Sequence, residues 1–222
     1  MKGILHPKVK ICCISSKEEA TLAIQYGAAA IGLVGPMPSG PGIIDNSLIK
    51  EIASTIMPPT ATFLLTSETS TSDIIAHHYK APTTTIQMVD ALEEGTYQEI
   101  KAQLPTIQLI QVIHVLNEAS IQEAIRIAPQ VDALLLDSGN PNLAIKELGG
   151  TGRTHNWELS RKIREAVSIP LYLAGGLHAG NVREAIEIVQ PYGVDLCSGV
   201  RTNGRLDEVK LRAFFEAINS AI

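Results

Sequence analysis

The chain has 222 residues, 45% of them hydrophobic, which suffices for one well-buried core and is too little for two sizeable domains. Charged residues make up 18%, the formal net charge is -5 and aromatics are only 4%, so neither a nucleic-acid partner nor a base-stacking surface is expected. The first ten residues hold no apolar stretch of signal-peptide length, and no apolar run is long enough to span a bilayer. A soluble, cytoplasmic protein with no membrane partner is expected. Of the three cysteines, Cys12 and Cys13 are adjacent and Cys197 is distant, which is neither a disulfide framework nor a zinc-ligand spacing. No metal site is expected.

Eight short, apolar, β-branched runs alternate with amphipathic stretches. Strand 9–14 leads to helix 15–26, strand 29–35 to helix 46–56, strand 60–66 to helix 72–79 and strand 83–89 to helix 96–103. Strand 108–115 leads to helix 120–127, strand 133–137 to helix 156–167, strand 170–175 to helix 181–189 and strand 194–200 to helix 207–218. The runs are nearly continuous in apolar character, as buried parallel strands are when both faces are covered. The first helix shows its signals in order: Ser15 and Ser16 at the start, Glu18 and Glu19 in the first turn, Gly27 at the end. Eight strand–helix units specify a closed barrel or a long doubly wound sheet. No Gly-x-Gly-x-x-Gly follows the first strand, and the compact repeat favours an α/β fold, a single (β/α)8 TIM barrel over residues 1–222.

In such barrels the chemistry sits at the C-terminal strand ends. Alternation along strand one puts Lys10 and Cys12 on the inner face and Cys13 on the face toward the helices. A thiol near an ammonium can serve as base or nucleophile, while the commoner role of a buried cysteine is packing. Asp137 ends strand six as a candidate general acid or base, with a loop-ordering role equally open. The loop Gly149-Gly150-Thr151-Gly152 is flexible enough to approach a ligand closely. Strands seven and eight end in Gly175-Gly176 and Ser198-Gly199, and a helix begins just past Gly180. Paired glycine-bearing ends on the last two strands point to phosphate held by backbone N–H groups. Trp157 is expected to pack and His77 and His78 to lie on the surface, while the place of His155, after the glycine loop, is open. The direction of His114 is open.

Taken in order, these stretches resemble the phosphoribosylanthranilate isomerase family from strand one to the last helix. The residues are Lys10-Ile11-Cys12, Leu134-Leu135-Leu136-Asp137, Gly149-Gly150-Thr151-Gly152, Asn156-Trp157, Ala174-Gly175-Gly176-Leu177, Asn181-Val182 and Ser198-Gly199-Val200. The resemblance implies an isomerase of tryptophan biosynthesis, an aromatic amino acid pathway, that performs an Amadori rearrangement without a cofactor. It implies Cys12 as general base and Asp137 as general acid, phosphate on Gly175, Gly176, Ser198 and Gly199, and Lys10, Gly150 and Gly152 around the substrate. The chain departs from the family in four places. Cys13 stands where glycine is usual, and Ser39-Gly40-Pro41 where Ser-Pro-Arg binds the substrate carboxylate. Gln87-Met88-Val89-Asp90 stands where Gln-Leu-His-Gly is typical, and Arg201 where an acidic residue is common. Arg201, Arg153 and Arg205 are available to supply the missing charge from another loop.

Two other readings remain: a barrel enzyme acting on a different phosphorylated sugar or amine, and a non-catalytic binder of phosphate ligands. The presence of both Cys12 and Asp137 counts against the binder, and the missing arginine after strand two separates the two enzyme readings. The expected partner is a small phosphorylated substrate, and a homodimer is allowed.

Overall fold

The computed structural model describes residues 6–139 and 154–219. Its strands are β1 (Lys8–Ile11), β2 (Ala30–Val34), β3 (Ala61–Thr66), β4 (Thr85–Met88), β5 (Gln108–His114), β6 (Ala133–Asp137), β7 (Leu171–Leu173) and β8 (Gly193–Leu196). They pair in chain order, all parallel, and β1 closes the barrel against β8 in the register Lys10 to Asp195 and Ile11 to Leu196. The helices are α1 (Lys17–Gln25), α2 (Asn46–Ala53), α3 (Thr71–Lys80), α4 (Tyr97–Gln103), α5 (Ala119–Ile127), α6 (Trp157–Ala166), α7 (Val182–Val189) and α8 (Glu208–Asn219). A short ribbon, β9 (Arg201–Thr202) and β10 (Arg205–Leu206), intervenes before α8. Among the described residues, no helix is long and apolar enough to cross a membrane. The Gly149–Gly152 loop lies outside the described residues, and so do Gly150 and Gly152.

Helix starts follow local chemistry. The Ser16 hydroxyl accepts the Glu19 N–H at 3.2 Å, Asp45 accepts that of Leu48 at 2.8 Å, and Thr96 and Glu99 exchange bonds as a capping box. These side chains satisfy N–H groups that the helix cannot.

The strands are apolar on both faces because they serve two separate cores. Ile11, Leu33, Leu64, Ile86, Leu134 and Val194 join the larger one, between strands and helices. Ala30, Phe63, Ile110, Val112, Leu135 and Ala174 fill the barrel itself. At the closed end, Tyr172 packs edge-on to Phe63 at 6.0 Å and to Tyr192 at 5.5 Å. Gly193 makes room for that ring.

His77 and His78, expected on the surface, are buried. Both ring nitrogens of His77 and Nε2 of His78 find partners, while His78 Nδ1 has none among the described residues. His77 lies 2.8 Å from the Thr66 hydroxyl and 3.0 Å from Asn46 Oδ1, tying α3 to β3 and α2. Its ring occupies the space beside Gly35, where a side chain would collide with it.

Gly193→Ala would place its Cβ 2.5 Å from the Tyr172 ring and 2.9 Å from the Lys8 carbonyl oxygen. Overpacking of this kind costs about 1–3 kcal/mol. Urea unfolding should show that loss. A variant as stable as the parent would mean that Tyr172 is loosely packed.

Candidate active site

The site is built upward from a buried ion pair. Lys10, fully buried in β1, donates to Asp195 Oδ1 in β8 at 2.9 Å, and its ammonium lies 5.2 Å from the centre of the Phe63 ring. Burial works against the Lys10 charge, but the Asp195 carboxylate more than compensates and holds the ammonium pKa above the ordinary lysine value. Lys10 therefore sits in the barrel interior, not on a loop around a substrate. Asp195 gains its meaning only through this pairing. A charged residue inside an apolar strand, at the parity that would meet Lys10 across the barrel seam, was the available signal.

Above this pair opens a cavity of about 680 Å³, its open mouth included. Its wall joins groups from distant strands: Cys12, Cys13, Asp137, Gly175, Gly176 and Ser198. The Gln87 side chain is also on the wall and buried, and its Oε1 has no partner among the described residues. On the side of β2 the wall is mostly apolar, with Val34, Met37, Leu65 and Val89, and includes Ser39, Gly40 and Pro41.

Two wall groups have opposed proton affinities. Asp137 is buried, and loss of hydration lifts its carboxyl pKa, against the Ser138 N–H that donates to Oδ1 at 2.8 Å. Its register partner in β5 is His114, whose Nε2 lies 3.0 Å from the Val89 carbonyl oxygen. The Cys12 thiol is shifted the other way. A hydrogen bond from Cys13 favours its thiolate, burial opposes this, and the Lys10 charge adds to the lowering. Cys13 is correspondingly pushed well above the ordinary thiol range, chiefly by Cys12 and Cys197.

Cys13 does not face the helices, as simple alternation would have it. β1 stops pairing at Ile11 with β2, and Cys13 has φ 61, in the left-handed region, which turns its side chain to the same cavity as Cys12. Arg201 holds that turn. Its Nη2 donates to the carbonyl oxygens of Cys12 and Cys13, and its two terminal nitrogens grip both Glu19 carboxylate oxygens at 3.1 Å. A guanidinium so occupied is not a spare charge for a substrate carboxylate. Arg153 lies outside the described residues.

The loops after β7 and β8 meet at one point. Gly175 and Gly176 are both left-handed, with φ 84 and 61, and a Cβ on Gly199 would lie 1.9 Å from the Leu177 carbonyl oxygen. Gly199 is thus where the two loops touch, whereas Gly175, Gly176 and Ser198 reach the cavity wall. Asn181 clips the first loop, donating to the Gly176 carbonyl oxygen at 3.0 Å and accepting the His178 N–H at 2.8 Å.

The sequence profile of the family described as N-(5'phosphoribosyl)anthranilate (PRA) isomerase matches residues 9–217. An N-(5'-phosphoribosyl)anthranilate isomerase of Methanocella arvoryzae is 34% identical, over 95% of this chain and 97% of its own length. One of Methanosarcina acetivorans is 35% identical, over 98% and 95% respectively. Among solved structures, the phosphoribosyl anthranilate isomerase of Thermotoga maritima superposes with a TM-score of 0.79 at 25% identity, covering 96% of this chain and 99% of that one.

His155, half-buried behind Gly175, gives the site a pH signature. Its Nε2 lies 2.7 Å from the Ser160 hydroxyl, its Nδ1 has no partner among the described residues, and burial pulls its pKa from 6.5 down to about 4. Between those values the unfolded chain takes up a proton that the folded chain refuses, so stability falls as pH drops through that window. The loss attributable to this ring is at most about 3 kcal/mol. Denaturant titrations of His155→Gln should show a flatter decline than the parent from neutral pH toward pH 4. Parallel declines would place the ring in contact with water.

Proposed function

The chain belongs to the phosphoribosylanthranilate isomerase family, and we propose that it catalyses the Amadori rearrangement of N-(5'-phosphoribosyl)anthranilate with Asp137 as acid and Cys12 as base. The observation that carries this reading is one cavity holding a carboxyl biased toward its protonated form and a thiol biased toward its thiolate. Two groups whose surroundings push their proton affinities apart are what an acid–base pair requires.

The reaction begins with a proton on the furanose ring oxygen, which breaks the C1–O bond and opens the sugar to a Schiff base. Asp137 holds that proton. The carboxylate it leaves behind is favoured by the neighbouring Lys10 charge. Cys12 thiolate then removes the C2 proton, giving an enolamine that tautomerises to the ketone. Both transfers use side chains of this chain alone. The substrate phosphate lies against the loops of Gly175, Gly176 and Ser198, with Gly199 holding the two loops together, so that the sugar spans the distance from acid to base. The aromatic ring lies along Val34, Met37 and Leu65, and an N–H or O–H of the substrate satisfies Gln87 Oε1. Loss of the guanidinium found elsewhere in the family weakens recognition of the carboxylate by about 1.5–3 kcal/mol and leaves the proton transfers in place.

The direct test follows product formation by fluorescence with purified protein. Cys12→Ala and Asp137→Asn should each lower kcat by about 10²–10⁴-fold. Affinity for a phosphate-bearing product analogue should stay within a few-fold of the parent. A variant that retains full kcat removes its residue from the chemistry.

Crystals soaked in sulfate should show an anion on the backbone of Gly175, Gly176 and Ser198. An anion bound only elsewhere would remove the phosphate assignment.

A further inference from the structure

Three thiols converge at the seam of the barrel. Cys12 and Cys13 follow β1, Cys197 follows β8, and all three line the same cavity although they come from opposite ends of the chain. β1 and β8 are paired neighbours, with the Cys12 N–H donating to the Leu196 carbonyl oxygen at 2.7 Å, so the two strand ends lie side by side. Cys13 and Cys197 both line this cavity, and Arg201, shortly after Cys197 in the chain, holds the Cys13 carbonyl oxygen. All three cysteines are free, and Cys197 is partly exposed. The left-handed backbone at Cys13 turns its sulfur from the helix side into this cluster. The catalytic reading uses Cys12 and leaves the sulfur of Cys197 without a role.

We propose that Cys13 and Cys197 form a peroxide-oxidisable dithiol, a modification site that reversibly switches the barrel mouth. The Cys197 sulfur, partly exposed at the mouth, attacks one oxygen of hydrogen peroxide or an organic hydroperoxide and gives up its proton to the departing oxygen. The S–O bond forms, the O–O bond breaks, and water or alcohol leaves. The sulfur of Cys13 then attacks the Cys197 sulfenic acid, the S–S bond forms, and a second water leaves with the thiol proton. Two thiols lose two electrons and two protons, and the peroxide takes up both.

Closure has two consequences at the mouth. Cys13 loses the S–H that favours the Cys12 thiolate, and the end of β1 becomes tied to the residue preceding Ser198. Reduction by a small dithiol reverses both. The bond itself is independent of the assigned reaction, while its effect on turnover rests on that reading.

The test treats the full-length protein with stoichiometric hydrogen peroxide, quenches with N-ethylmaleimide, and maps peptides by non-reducing mass spectrometry. The expected result is an intramolecular bond joining the Cys13 and Cys197 peptides, with turnover reduced at least tenfold and restored by dithiothreitol. Cys197→Ser and Cys13→Ala, each compared with its own untreated form, should form no such bond. Each should also lose less activity than the parent under the same dose. Bonds only between molecules, or oxidation of Cys12 alone with equal inactivation of both variants, would overturn the proposal. If the reduced protein shows no isomerase turnover at all, the functional assignment fails, and the peptide map alone still decides whether the dithiol forms.

Discussion

A positive and a negative charge, placed where almost no water reaches, hold this barrel at its seam. Lys10 and Asp195 meet at 2.9 Å between the first strand and the last. Removing either partner would leave a lone charge in the interior, a change that in such settings costs about 3–5 kcal/mol. The same pair sets the field at the cavity floor. Its ammonium favours the thiolate of Cys12 and the carboxylate of Asp137 once the proton has left. Closure of the fold and polarisation of the site therefore depend on one contact.

The second fixed element is the Arg201–Glu19 clasp. By taking two consecutive carbonyl oxygens, Arg201 stabilises a left-handed residue where a side chain is ordinarily disfavoured. Glu19 anchors the clasp to α1 and also accepts the Leu206 N–H at 2.8 Å. The charged group thus stiffens the loop that presents both cysteines, and it stands outside the pool of cations available to a substrate.

The barrel was legible because its signals are local. Eight apolar runs and the cap at Ser16 lie within a few residues of the elements they specify. Cys12, Asp137 and the glycines after β7 were visible for the same reason, since each ends an apolar run. Asp195 was missed because its meaning depends on Lys10, 185 residues away, and the pairing exists only once the barrel closes. Cys13 was misplaced because alternation assumes a continuing strand, and one positive φ cancels it. The buried histidines were misread because hydropathy counts a polar ring as a surface group until its partners, Thr66, Asn46 and Thr83, are known.

The division into two cores bears on how such a chain can be altered. Ile11, Leu64 and Leu134 look outward to the helices, while Phe63, Leu135 and Ala174 look inward beneath the cavity. Repacking the outer layer would change melting behaviour with little disturbance of the inner one, because the strand backbone stands between them. A laboratory lineage selected for heat resistance would then be free to accumulate outer-layer exchanges. One selected for a new substrate would be driven to the inner layer and the loops. The two searches would explore nearly disjoint sets of positions, and their products could be recombined with little mutual interference.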